Sequence, residues 1–264
     1  MIPRGLIGVV HLPGLPGDPG AGAATFSDAY DHAHADAEAL VAGGVAGLIV
    51  ENFGSAPFVK GCAGDRLPPW QAAALALVTR ECRALGVPVG VNCLRNDAHT
   101  AMGIAAACEL DFIRVNVHSG AYVTDQGVIE GEAAATLRLR RLLGVDERVA
   151  ILADVLVKHA APLAPLTPEA ATRDCLDRGH ADAVIVSGSG TGEPVDAELL
   201  ERVRKAASGR PVLIGSGLTP GNAPRLRPLA EAAIVGTWLK VGGRVHAPVD
   251  PERVKRMVAA WAGD

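Results

Sequence analysis

The chain has 264 residues, is 49% hydrophobic and carries a formal net charge of −4. This composition excludes global disorder, and the charge leaves no electrostatic footprint for nucleic acid or anionic lipid. With 3 Trp, 2 Tyr and 4 Phe there is no aromatic platform for base stacking, and 31 Gly with 18 Pro stay under a fifth of the chain, short of low complexity.

Taken in chain order, short apolar runs alternate with amphipathic stretches. The N-terminus, Met1-Ile-Pro-Arg-Gly-Leu-Ile-Gly-Val-Val, loosely resembles a leader, but its apolar stretch stops at His11 and runs into prolines, so 5–11 reads as a strand. Residues 27–42 place Ala29, Tyr30, Ala33, Ala37, Leu40 and Val41 on one helical face. Strands follow at 46–51, 87–92, 111–117, 149–154, 182–187, 211–215 and 232–235. Each is β-branched-rich and bounded by turn residues, as buried parallel strands are. A second clear amphipathic helix is 196–207, and Thr167-Pro168 and Asp250-Pro251 each set a capping side chain before a first-turn proline. Eight strand–helix units of about 33 residues fit a single α/β domain over 1–264, a parallel eight-stranded (β/α)8 TIM barrel with outer helices.

The connections are of two kinds. Helix-to-strand links are short, whereas strand-to-helix links at 12–26, 52–68, 118–131, 155–167 and 187–195 are long and rich in Gly, Pro and polar residues. In a barrel the long links all lie on the C-terminal rim, where ligand sites are built.

Three glycine-rich turns on that rim suit a phosphate, because backbone N–H groups can approach it closely. They begin at Gly215-Ser216-Gly217 after the seventh strand, Gly236-Thr237 after the eighth, and Ser187-Gly188 after the sixth, in the run Ser187-Gly188-Ser189-Gly190-Thr191-Gly192. Polar residues also recur near strand ends. Arg114, Asn116 and His118 share parity and should point inward on the fourth strand. Asp154 and Lys158 share parity if the fifth strand extends that far, and Glu51, Asn52, Asn92 and His11 end other strands. Carboxylates and a lysine converging on a barrel mouth make an acid/base set, with Asp154, Lys158, His159 and Glu51 as catalytic candidates. His11, Asn52, Asn92, Arg114, Asn116 and His118 would position substrate. The competing interpretation is an ion-pair network that only stiffens the rim. No cofactor is expected. A divalent metal is compatible with the spread of His11, His118 and His159, but no ligand spacing on the rim calls for one. Cys93 is expected to be core rather than a nucleophile, and the basic run Arg138, Arg140, Arg141 a solvated helix end.

Five cysteines without a Cys-x-x-Cys pair fit reduced thiols and a cytoplasmic location. No apolar run approaches the roughly 18–20 residues of an integral membrane segment. A homo-oligomer is compatible with a barrel of this size, though no segment specifies an interface.

At these motifs the chain resembles the BtpA/SgcQ family. The resemblance is carried by His11-Leu12-Pro13-Gly14-Leu15-Pro16-Gly17, Glu51-Asn52-Phe53-Gly54 with Pro57-Phe58, and Gly90-Val91-Asn92-Cys93-Leu94-Arg95-Asn96-Asp97. It continues through Phe112 to Val117, Thr124-Asp125-Gln126-Gly127 with Glu130-Gly131, Ala153 to His159, and the Gly215 and Gly236 turns. The chain departs from the family pattern at Gly14, where a proline is usual, and at Cys93, where an aliphatic residue is usual. The resemblance implies a barrel of the ribulose-phosphate-binding kind. The family is named for a factor in photosystem I accumulation, yet similar sequences occur in non-photosynthetic organisms, some beside sugar-uptake genes. From the glycine-rich rim and the mixed acid and base strand ends, the function expected is an enzyme on a small phosphorylated sugar or related metabolite, of isomerase, epimerase or lyase type. The alternative is a non-catalytic assembly factor that would use an exposed apolar patch.

Overall fold

The structure is a computed structural model that describes residues 2–263 apart from Ser189 and Thr191. Eight parallel strands close into a barrel. They are β1 (Gly5–His11), β2 (Gly47–Glu51), β3 (Val89–Asn92), β4 (Phe112–Val115), β7 (Ala150–Val155), β9 (Ala183–Val186), β10 (Val212–Ile214) and β11 (Ala232–Val235), with β11 pairing back onto β1. All eight lie at the expected places. The helices between them are α1 (Phe26–Ala42), α2 (Pro69–Ala84), α3 (Ala98–Ala107), α4 (Ala133–Leu142), α5 (Pro168–Arg173), α6 (Ala197–Ala207), α7 (Ala223–Leu226) and α8 (Pro251–Ala262). No helix among the described residues is long and apolar enough to cross a membrane.

Local chemistry explains the element starts. Thr25 and Asp28 form a reciprocal capping box on α1, Thr167 caps α5 through the Ala170 N–H, and Asp250 caps α8 through the Glu252 and Arg253 N–H groups. α5 continues directly into a π-helical turn, Asp174–Arg178.

The loops at 118–131 and 155–167 hold structure that the sequence pattern did not signal. β5 (Ala121–Thr124) and β6 (Gly127–Glu130) form an antiparallel hairpin, and β8 (Ala160–Pro162) adds to β5. Strands of three or four residues are too short to show a period of two. Tyr122 and Ile129 pack with Val117 and Val157 under this small sheet.

Inside the barrel the alternation of side chains sorts residues into layers. The lower interior is apolar, with Ile7, Val9, Ile49, Phe112, Leu152, Ile185, Leu213 and Ile234 in one cluster. Gly90 belongs to this layer. A Cβ there would stand 2.1 Å from Phe112 Cε2, so the missing side chain is the space the phenyl ring fills. One step further along each strand the interior becomes polar or empty: His11, Glu51, Asn92, Arg114, Asp154, Ser187, Gly215 and Gly236. This upper layer is the floor of the rim. The first rim loop above it is pinned despite Gly14, because Asp18 accepts hydrogen bonds from the Leu15 N–H (2.7 Å), the Ser55 hydroxyl (2.6 Å) and the Gln71 amide (2.5 Å).

Candidate active site in the barrel mouth

The polar layer is a continuous network. Arg114 donates from Nε and Nη2 to the two oxygens of Asp154, both at 2.9 Å. Asn116 donates to Asp154 Oδ2 at 2.8 Å, and the Ser187 hydroxyl lies 3.4 Å from Oδ1. On its other side Arg114 reaches Glu51 Oε1 at 3.5 Å, and Asn92 donates to that same oxygen at 2.9 Å. Asp154 is thus enclosed by donors, whereas every side-chain hydrogen bond found for Glu51 among the described residues falls on Oε1.

Above this network lies a cavity of about 240 Å3. Its walls include His11, Glu51, Arg114 and Lys158, together with Gly215 to Thr219 and Gly236 to Trp238. Nine of the residues expected from sequence are therefore gathered on one space: His11, Glu51, Arg114, Lys158, Gly215, Ser216, Gly217, Gly236 and Thr237. The glycines have steric reasons. At Gly217, with φ +69°, a Cβ would collide with the Glu193 carbonyl oxygen, and at Gly236 it would stand 2.5 Å from His11 Cε1. The N–H groups of Gly217 and Thr237 donate to no acceptor among the described residues.

Burial sets the protonation of the mouth. His11 is held at a pKa of about 3, first by desolvation and then by the charges of Lys240 and Lys158, so its imidazole is neutral near pH 7. Its Nδ1 is buried without a hydrogen-bond partner among the described residues. The Lys158 amine is pushed below the ordinary lysine range, first by burial and then by Arg114, with Glu51 and Asp154 opposing. No carboxylate among the described residues is within ion-pair distance of it.

The remaining candidates sit elsewhere. β4 ends at Val115, so the inward parity does not carry to His118; its Nε2 lies 2.8 Å from the Gly179 carbonyl, beside α4 and outside the mouth. Asn52 ties two rim loops together, accepting from the Leu94 N–H at 2.7 Å and donating to the Leu94 carbonyl at 3.2 Å. Asn92, Asn116, Asp154 and Ser187 lie beneath the cavity as its supports, and the Gly188 N–H donates to Ser216 Oγ at 3.3 Å. His159 is exposed at the rim beside Lys158. Lys158 enters the mouth from a turn after β7 and not from an extended strand. Ser189 and Thr191 of the third glycine-rich turn are outside the described residues. Among the described residues no three His, Cys, Asp or Glu side chains are grouped to hold a metal ion.

Two residues important to the site lie outside the sequence-derived set. Arg95 is buried and donates to the Lys158 carbonyl at 2.7 Å. Its only sequence signal is its place in the Gly90–Asp97 motif. Lys240 is fully buried and pairs with Asp36 of α1, which also accepts from the Val249 N–H at 2.7 Å. A lone lysine after the eighth strand gives no hint of a partner some two hundred residues earlier.

The BtpA family model matches residues 3–263. The chain belongs to the BtpA family. It is 46% identical over 258 residues to the photosystem I biogenesis protein BtpA of Synechocystis sp., spanning 97% of this chain and 88% of that protein. It is 42% identical over 253 residues to an uncharacterised protein of Pyrococcus furiosus, spanning 96% and 93%. Among solved structures, phosphoribosyl anthranilate isomerase from Thermus thermophilus superposes with a TM-score of 0.55 at 15% identity, covering 98% of each chain. That likeness shows the TIM-barrel fold of this chain.

Proposed function

We propose that this BtpA-family protein is an enzyme acting on a small phosphorylated carbonyl compound, by isomerisation, epimerisation or carbon–carbon cleavage. The observation that carries it is the single cavity that brings Lys158, Glu51, Arg114 and His11 together with the Ser216–Gly217 and Gly236–Thr237 turns. In this reading the phosphate rests on the Gly217 and Thr237 amides. The carbonyl end lies against Arg114, whose remaining N–H groups stabilise the oxyanion that develops when the neighbouring carbon loses a proton. Glu51, with one oxygen uncommitted among the described residues, and Lys158, held closer to its neutral form than a surface lysine, are the groups that move the proton. Asp154 holds Arg114 in place through their paired hydrogen bonds. The neutral imidazole of His11 is a hydrogen-bond partner for a substrate hydroxyl, and His159 stands at the entrance.

The test is a crystal soak with inorganic phosphate, paired with a thermal-shift screen of triose to pentose phosphates. An anion over the Gly217 and Thr237 amides and a raised melting temperature with at least one sugar phosphate are expected. No anion at these turns, with no shift from any member of the panel, would refute the reading.

An assembly role has one specific observation in its favour. Between α1 and α2 runs a groove of about 460 Å3 with Phe26, Trp70 and Leu77 exposed along it. A partner-binding face there would coexist with an open mouth. Leu77→Glu should abolish complex formation and leave ligand binding in the mouth unchanged.

A further inference from the structure

Lys158 sits in a turn that its neighbours do not favour on their own. Leu156 and His159, neither of them glycine, adopt left-handed backbone with φ of 53° and 55°. Left-handed backbone is disfavoured for a residue with a Cβ, and it persists only where the surroundings hold it. The holding group comes from a different loop. Arg95 follows β3, is only 5% exposed, and donates from Nη2 to the Lys158 carbonyl oxygen at 2.7 Å. Its own backbone N–H donates to Val59 O at 3.2 Å in the loop after β2. The Arg95 backbone is therefore anchored independently of the strand that carries Lys158. On the far side of the turn, Ala160 begins the pairing of β8 with β5.

We propose that Arg95 is a positioning residue that clamps the Lys158 carbonyl and so presents the Lys158 amine to the mouth in its reactive form. This rests on Lys158 being the reactive amine of the proposed enzyme. The charged and titratable groups facing that amine come from several elements: Arg114 on β4, Glu51 on β2, Asp154 on β7, His11 on β1, Arg95 after β3, and His159 in the same turn. Arg95 acts on it twice, by fixing the turn that buries the amine and by adding positive charge beside it. Both effects disfavour the ammonium form.

The experiment needs no substrate. Each lysine of the full-length protein is labelled with trace acetic anhydride across pH 6–11, and peptide mass spectrometry gives the pH midpoint for each. Exposed Lys205 and Lys255 serve as references, and buried Lys240, protected only while the barrel is folded, reports the fold. In the unaltered protein Lys158 should label with a midpoint below the references. In Arg95→Gln, with Lys240 still protected, its midpoint should rise, so that the fraction of plateau rate at pH 8 falls about threefold. Arg95→Lys, which keeps the charge and one donor, should restore most of the difference.

An unchanged Lys158 midpoint in folded Arg95→Gln overturns this inference and leaves the reactive-lysine reading standing. An ordinary Lys158 midpoint in the unaltered protein overturns both. Should Arg95→Gln expose Lys240, Arg95→Lys decides: a midpoint near the unaltered value supports the clamp, and one at the reference value rejects it.

Discussion

Arg114 and Asp154 meet through two parallel hydrogen bonds of 2.9 Å in the interior of the barrel, both residues almost fully buried. A bidentate pair in this setting fixes the plane of the guanidinium and leaves its outer edge toward the mouth. Glu51 and Asn92 complete the support from the opposite side.

Removing one partner of that pair should be costly. Asp154→Ala leaves a buried guanidinium with only a weak contact to Glu51, and is expected to lower unfolding stability by about 3–5 kcal/mol. The double variant Arg114→Met/Asp154→Leu should cost clearly less. Urea unfolding of the two singles and the double checks this, and simple additivity would contradict it.

His11 gives the fold a dependence on acid. Its folded pKa of about 3 lies below the ordinary value of 6.5. The unfolded chain therefore takes up the proton first as pH falls. The stabilisation is complete above pH 6.5 and is lost progressively down to about pH 3. Between pH 7 and pH 5 the loss attributable to His11 is about 2 kcal/mol. The fall in unfolding free energy from pH 7 to pH 5 should be larger in the unaltered protein than in His11→Gln by that amount. Parallel curves would show that His11 is not buried neutral.

Gly217 is where a methyl group should separate binding from folding least. Its left-handed φ and the Glu193 carbonyl together exclude a Cβ. Gly217→Ala should destabilise by about 1–3 kcal/mol and weaken phosphate binding at least tenfold by isothermal titration. Gly209→Ala shares the positive φ but meets no atom within 4 Å, so it should show only a backbone cost and bind phosphate normally.

Lys240 and Asp36 join the loop after β11 to α1. Asp36→Asn removes the counter-charge of a fully buried ammonium and should cost about 3–5 kcal/mol. The double variant Lys240→Met/Asp36→Leu should recover much of this, as chemical denaturation would show.

The barrel was legible because its strands are apolar runs with clear borders and its irregular residues fall on one side of them. The upper layer was legible for the same reason: a period of two puts Glu51 with Ile49, and Arg114 with Phe112, on the inner face. The parity argument failed where the strand stopped. Asn116 still reaches Asp154 just past the end of β4, but His118 turns away to Gly179. Asn52 failed differently, because a side-chain amide can mimic a backbone pair, and its sequence gives no sign of that choice. The small sheet of β5, β6 and β8 escaped because hairpins of four residues carry almost no pattern. Arg95 and Lys240 escaped because a buried cation is recognised only by the oxygen that meets it in space.

The apolar cluster beneath the polar layer has a consequence for traffic. Because Phe112, Ile49 and their neighbours fill the lower barrel, the mouth is closed from below. Under the proposed enzyme reading, a product formed there would depart by the rim its precursor entered, so turnover would alternate arrival and exit. A second reactant, if the proposed chemistry needs one, would have to enter from the rim side as well.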